Sequence, residues 1–441
     1  MKVQNHFFWL ILFWIIACQK QYFPENPVNS SAQVIRLGGT LNDVAKSVVT
    51  TADGGFAVLG YTQSNDGDVT DKLDNSFDFW LLKFSADAQL EWSKTYGGSN
   101  DDRGSSLIQT PDGGFALLGY SASNDGDLSS NNGLRDFWLI KTDVVGNLSW
   151  QKNFGYSGSD QGICIVKTSD NHFLLAGVLD VTASGGEGNF NRNHSKHAGG
   201  DFWVLKVSET GDLIWSRFFG GSFTDTPNSI VETSNNEFII VGSSDSNDVD
   251  ISENKGTYDF WIIKVTSDGS LVWEHSFGGS EIDEARGVSE SSDGNYLIVG
   301  DTRSSDQNVS QNNGAADVWL IKLSEDGNLI WEQTIGGTNF DVPRSIKSTM
   351  DSGFLIAGSS RSSDGDLTSN QGQNDAWIVK VNNNGELTWQ HTFGGSEIDF
   401  GYDALELSNG SVVMVGETSS SDGDLEENSG FTDLFIIKIN G

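Results

Sequence analysis

Apolar residues in this chain gather in short runs, and the runs differ in kind. Ser106-Leu107-Ile108-Gln109-Thr110 alternates apolar with polar, the period of two expected of a strand with one buried face. Pro111-Asp112-Gly113-Gly114 follows, and Phe115 to Tyr120 is a second run. Asp-Gly between two such runs predicts a hairpin, because both turn positions tolerate positive φ. Beyond the polar stretch Ser121 to Arg135 comes Phe137 to Thr142, apolar without alternation. That pattern predicts a strand covered on both faces. Val145-Gly146-Asn147 then turns the chain into a fourth strand, Leu148 to Phe154.

This set of four predicted strands recurs. The third strand is the clearest marker: DFWLLK from Asp78, DFWLIK from Asp136, DFWVLK from Asp201, DFWIIK from Asp259, DVWLIK from Asp317, DAWIVK from Asp375 and DLFIIK from Asp433. The differences between successive start positions are 58, 65, 58, 58, 58 and 58, so one unit, the third, carries a seven-residue insertion. A fixed period of this kind signals a repeat architecture. Four-stranded sheets covered on both faces by like sheets predict the blades of a propeller. The seventh copy stops at Asn440-Gly441, before any fourth strand, while Val34-Ile35-Arg36-Leu37-Gly38-Gly39 aligns with a fourth strand and precedes the first complete unit. Joining these ends in one sheet closes the ring and removes exposed edges. The expected fold is therefore all-β: a seven-bladed β-propeller of four-stranded blades over 33–441, its last blade completed by the N-terminal strand. An open β-solenoid is the alternative, and it needs no displaced strand.

Composition changes this picture in two places. The apolar fraction is 37%, with 52 glycines and only 5 prolines, the texture of a turn-rich all-β chain. The formal charge of -35, from 26 Lys and Arg against 61 Asp and Glu, excludes nucleic acid and anionic lipid headgroups as the main partner, since both require a basic face. The N-terminus has its own logic. Lys2 and the apolar stretch Phe7 to Ala17 read as a secretory signal, too short to span a bilayer as a helix. Ile15-Ile16-Ala17-Cys18 resembles the lipobox of bacterial lipoproteins, which implies a signal peptide over 1–17, acylation of Cys18 and a polar tether over 18–32 containing Pro24 and Pro27. The alternative is an ordinary signal peptide that happens to contain a cysteine. Cys164, in the run Ile163-Cys164-Ile165-Val166, reads as a buried structural thiol.

The aligned units, carried by Trp273 to Asp283, Asp293 to Gly300, Ser363 to Asp366 and Asp259 to Lys264, resemble the tandem-repeat propeller lipoproteins of Bacteroidetes-type bacteria. Similar chains bear labels such as bulb-type lectin domain, quinoprotein-like propeller or endoglucanase. The chain lacks the glutamine-asparagine-tyrosine pattern of bulb lectins and the adjacent cysteine pair of quinoprotein dehydrogenases, so the resemblance implies no site residues.

Candidate chemistry concentrates in acidic loops. An aspartate precedes the first strand of every unit (Asp43, Asp102, Asp160, Asp225, Asp283, Asp341, Asp399), and another opens each third strand. Both sets are expected to hold turns. D-G-D loops recur at Asp66/Asp68, Asp125/Asp127, Asp364/Asp366 and Asp422/Asp424, with weaker forms at Asp248-Val249-Asp250 and Asp306-Gln307-Asn308. Hard cations take several oxygen ligands, so these loops are candidate calcium sites, set against turn capping. All three sets fall on one face, which is expected to be strongly acidic. The insertion Thr182 to Gly200 carries Arg192, His194, Lys196 and His197, cationic candidates for a binding loop in an acidic protein. No catalytic motif such as G-x-S-x-G or H-E-x-x-H is present in the chain. The expected function is a monomeric, lipid-anchored, non-catalytic binding or interaction scaffold in the cell envelope, on the outer membrane, with a glycan or protein partner. A polysaccharide-cleaving enzyme is the alternative. It would show a cleft with carboxylates that have no counterpart in other blades.

Overall fold

The computed structural model describes residues 32–184, 197–426 and 428–441. Seven four-stranded antiparallel sheets form the ring: a seven-bladed all-β propeller. In blade 2 the strands are Asp102–Gln109, Phe115–Ser121, Asp136–Thr142 and Leu148–Phe154, in sequence order across the sheet. Blade 7 is assembled from both chain ends. Gln33–Leu37 lies antiparallel to Asp433–Ile439, with Gln33 opposite Lys438 and Leu37 opposite Leu434. The expected closing strand is there, starting one residue earlier and ending two residues sooner than its alignment suggested.

The hexapeptide that marks each unit explains why sheets stack. The third strand is buried along its length in all seven blades, although Lys380 in blade 6 is only partly covered. Its aromatic pair staples neighbours together: Phe79 meets Trp138 at 4.8 Å between ring centroids, Phe137 meets Trp203 at 4.8 Å, Phe202 meets Trp261 at 4.6 Å and Phe260 meets Trp319 at 4.7 Å. Edge-on and tilted geometries of this kind add about 0.5–1.5 kcal/mol beyond area burial. The glycine of each second strand sits beside this tryptophan, or beside Phe435 in blade 7, and Gly300 illustrates why. A Cβ there would approach Glu284 O, the Phe260 ring and the Ala285 backbone more closely than side chains do.

The lysine that ends the hexapeptide runs along the sheet toward the turn between first and second strands. Lys83, Lys141, Lys206, Lys322 and Lys380 meet Asp53, Asp112, Asp170, Asp293 and Asp351 at 2.6–2.8 Å, and Lys264 meets Glu237 at 2.7 Å. The turn aspartate of the D-G-G-F pattern is thus a lysine partner and a turn cap, as Thr110 Oγ1 donating to Asp112 at 2.5 Å shows.

Candidate functional site

The loop face is built from the links between blades, and each link is a row of backbone amides in need of acceptors. Between blades 5 and 6, Gly336 N donates to Asp366 Oδ2 at 3.0 Å, Gly337 N to Asp341 Oδ2 at 2.7 Å, Thr338 N to Asp364 Oδ1 at 2.9 Å and Asn339 N to Ser362 Oγ at 3.0 Å. Four successive amides therefore each find a side-chain oxygen, three of them carboxylate. The same four-fold arrangement recurs at residues 38–41, 97–100, 220–223 and 278–281, with Asn308 standing in for the aspartate in the last. At 395–397 Asp399, Asp422 and Ser420 serve in the same way.

This places the calcium candidates. Asp66, Asp125, Asp364 and Asp422 accept from the link amide two residues after the first glycine, and Asp68, Asp127 and Asp366 from that first glycine. Asp424 accepts from Gln371 Nε2. Among the described residues no group of three or more His, Cys, Asp or Glu is arranged to hold a metal ion.

The other two aspartate sets are buried rather than displayed, so the acidic face is thinner than the sequence suggests. Asp43, Asp102, Asp160, Asp225, Asp283, Asp341 and Asp399 are 0% exposed and begin or directly precede the inner strand instead of lying in the link. The strand-opening aspartates face them across the first link glycine. A Cβ on Gly278 would lie 2.8 Å from Asp283 Oδ2 and closer still to Asp259 Oδ1. Oδ1 of Asp259, Asp375 and Asp433 is buried without a hydrogen-bond partner among the described residues. Burial, helped by the facing carboxylate, pushes Asp78 up to about 7, Asp259, Asp317, Asp375 and Asp433 up to about 6, and Asp225 up to about 8.

Of the insertion residues, Arg192, His194 and Lys196 lie outside the described residues. His197 is buried, with Nδ1 2.6 Å from Asp201 Oδ2 and its ring edge-on to Phe218 at 5.0 Å. In blades 2, 4, 5, 6 and 7 the equivalent carboxylate oxygen accepts from a backbone amide four residues earlier, for example Asn132 N to Asp136 at 2.7 Å. A histidine side chain takes that place in blade 3. Cys164 faces Ala176 O at 3.9 Å, and burial raises its thiol well above the usual range.

Where the repeat breaks most sharply is the central channel. The inner strands surround a cavity of about 660 Å³. Three positions after the inter-blade aspartate, the seven blades present Lys46, Ser105, Ile163, Asn228, Arg286, Arg344 and Tyr402 to it. Arg286 is held by Glu284 at 2.6 Å and Asp301 at 3.0 Å, and Lys347 by Asp403 at 2.6 Å. Tyr402 donates to Glu417 Oε1 at 2.6 Å. Lys46 Nζ lies 3.4 Å above the centre of the Tyr402 ring, a cation–π geometry. Outside the cavity lining, Arg103 covers Phe77 at 3.9 Å and donates to Asp101 at 3.0 Å, while Arg135 covers Tyr120 at 4.6 Å. Two carboxylates without counterparts in other blades, Asp101 and Asp403, are each paired with a cation, as is Asp301, whose counterpart in blade 7 is Glu417. Reading motifs along the chain misses these residues. The signal for those that line the cavity is an aligned column, three positions after the inter-blade aspartate, that varies from blade to blade.

No family model matches the chain. Among curated proteins, Regulatory protein FlaEY of Caulobacter vibrioides is 23% identical over 302 residues, covering 62% of this chain and 31% of that protein. The chain thus spans about a third of that relative's length. Among solved structures, the Neurospora crassa Pan2 WD40 domain aligns with 92% of this chain and 96% of its own at 9% identity and a TM-score of 0.48. A protein of unknown function from Bacteroides caccae aligns with 68% of this chain and 81% of its own at 11% identity and a TM-score of 0.36.

Proposed function

We propose that this propeller is a non-catalytic interaction scaffold of the cell envelope, tethered through an acylated Cys18 to the outer membrane and offering its loop face to a glycan or protein partner. The observation that carries this reading is the set of large apolar side chains standing in water among the loops of that face: Leu73 at 98% exposure, Leu134 at 70%, Phe431 at 68% and Phe223 at 60%. Exposed aromatic and aliphatic groups rimmed by polar loops are what docking surfaces use. They also depart from the repeat. Phe223 corresponds to Leu41, Asn100, Gly158, Glu281, Asn339 and Glu397 in the other units, so no scaffold role demands it. The related Caulobacter chain is described as a regulatory protein, which accords with a role in interaction.

The lipid anchor rests on the sequence Ile15-Ile16-Ala17-Cys18. Calcium has a narrower basis: the D-G-D oxygens are hard ligands in the right loops, but an ion there competes with the link amides for the same carboxylates. The test of the main reading is a screen of glycans and envelope proteins against the mature chain and a Phe223→Ser/Phe431→Ser variant. A partner that binds the parent and loses at least about tenfold in affinity to a variant of unchanged melting temperature supports it. Partners that bind both chains equally would show that this face is not the docking surface.

A further inference from the structure

Two cations in the channel lack an acid of their own. Lys46 and Arg344 form no hydrogen bond or ion pair with any described residue, although both line the cavity. Arg344 packs its guanidinium 5.7 Å from the Tyr402 ring centre and 5.8 Å from that of Phe400, and its Nε is buried without a partner. The neighbouring Ser345 Oγ is also buried and unpartnered. A buried donor left unmade costs about 1–3 kcal/mol, so unpartnered donors gathered round one cavity favour a guest that brings acceptors.

We propose that the channel binds a small organic monocarboxylate, its carboxylate held by Arg344, Lys46 and Ser345 and its apolar body lying toward blade 3.

The charges select the class. Lys347 and Asp403 neutralise each other, and Arg286 is matched by both Glu284 and Asp301. The acid that acts on Lys46 is Glu417, whose carboxylate already accepts from Tyr402. The excess at Lys46 and Arg344 is local, because Arg286 between two acids carries the opposite imbalance and Glu406 also lines the cavity, so the channel tolerates a monoanion better than a phosphate dianion. The planar fork of Arg344 matches the two oxygens of a carboxylate. Ring order supplies the orientation. The donors come from blades 6 and 1, on either side of Tyr402 in blade 7, and the wall opposite includes blade 3, where Ile163, Cys164 and Ile165 line the cavity. A cavity of about 660 Å³ lies within the usual range for small-molecule sites, about 300–1,000 Å³. The net charge of -35 repels anions at long range, so recognition depends on contacts inside the channel rather than on steering.

The experiment is calorimetric titration of the full mature protein with hexanoate, benzoate, indole-3-acetate and glucuronate, with benzamide and phenyl phosphate as controls. At least one carboxylate should bind saturably at one site per chain and more tightly than either control. Lys46→Gln and Arg344→Gln should each weaken it at least tenfold, whereas Lys46→Arg should retain it. Burial lowers the Lys46 ammonium to about 8, against the opposing pull of Glu417 and with Arg344 and Arg103 adding to the lowering. Affinity in the parent should therefore fall from pH 7 to 9, and Lys46→Arg should flatten that fall. The Phe223→Ser/Phe431→Ser variant should bind the carboxylate unchanged, which separates this site from the docking face. Absence of saturable binding by all four carboxylates would overturn the proposal, as would tighter binding of phenyl phosphate. So would binding that survives both Gln substitutions in folded protein.

Discussion

Single aspartates in this protein divide into two electrostatic populations, and the division sets how stability responds to pH. Asp259, Asp317, Asp375 and Asp433 titrate near 6, Asp78 near 7 and Asp225 near 8, all raised from 3.8 chiefly by burial. The folded state therefore holds protons between about pH 4 and 8 that the unfolded chain has released, so stability from these groups is present in acid and lost as pH rises through 6 to 8. The lysine-paired aspartates run the other way. Asp53, Asp112 and Asp351 are lowered to about 2, and their mostly exposed contribution, discounted for solvent screening, fades as pH falls below about 4. Thermal unfolding followed by circular dichroism should show a midpoint that rises from pH 8 to about 5 and turns down below about 3.5. Asp225→Asn, which keeps an acceptor for Gly221 N, should flatten the part between pH 7 and 8. A midpoint that climbs steadily with pH would contradict the buried-pair account. At the same scale, Asp341→Ala strips acceptors from Gly337 N, Ser360 Oγ and Ser362 Oγ and should cost about 1–3 kcal/mol in denaturant unfolding.

At the scale of the element, the strand that closes the ring joins the two ends of the chain in one sheet. Gln33–Leu37 makes a full antiparallel ladder with Asp433–Ile439, and Ile35 and Leu37 pack on the core shared by blades 7 and 1. Deleting Val34 to Leu37 should lower the melting temperature and expose the Asp433–Ile439 edge to pairing with other chains, read as aggregation in size-exclusion chromatography. A deletion variant as stable and monomeric as its parent would refute that role. The closing strand was legible in the sequence because a missing fourth strand at one end and a surplus one at the other are arithmetic. The inner strands were less so. Their first residues looked like loop because the inter-blade aspartate is polar, whereas in the fold it is the buried acceptor for the link amides, and Asp102 already belongs to the strand.

For the molecule as a whole, the -35 charge is a repulsion that salt should relieve. Raising sodium chloride from low to physiological strength should raise the melting temperature. Because link amides, or Gln371 in the case of Asp424, already occupy the D-G-D carboxylates, calcium at matched ionic strength should add nothing beyond sodium, and Asp364→Asn/Asp366→Asn should leave both responses alike. A calcium-specific gain, lost in that variant, would instead establish the D-G-D metal site. Anchoring belongs to the same scale. Cys18→Ser should release the protein from the membrane fraction or trap an unprocessed precursor, and unchanged partition with normal cleavage would remove the lipoprotein reading. What the sequence by itself determined was blade number, strand order and closure. These follow from local chemistry, alternation, Asp-Gly turns and a doubly buried third strand, repeated at a period that comparison of the units reveals. What only the tertiary structure decided was which polar groups meet. Ring closure brings Val48 N within 2.9 Å of Asp403, 355 positions away, and sets Lys46 over Tyr402. It also buries two of the three aspartate sets that looked alike on paper. Burial and convergence at a channel depend on how seven sheets stack, and no periodicity within one unit encodes that.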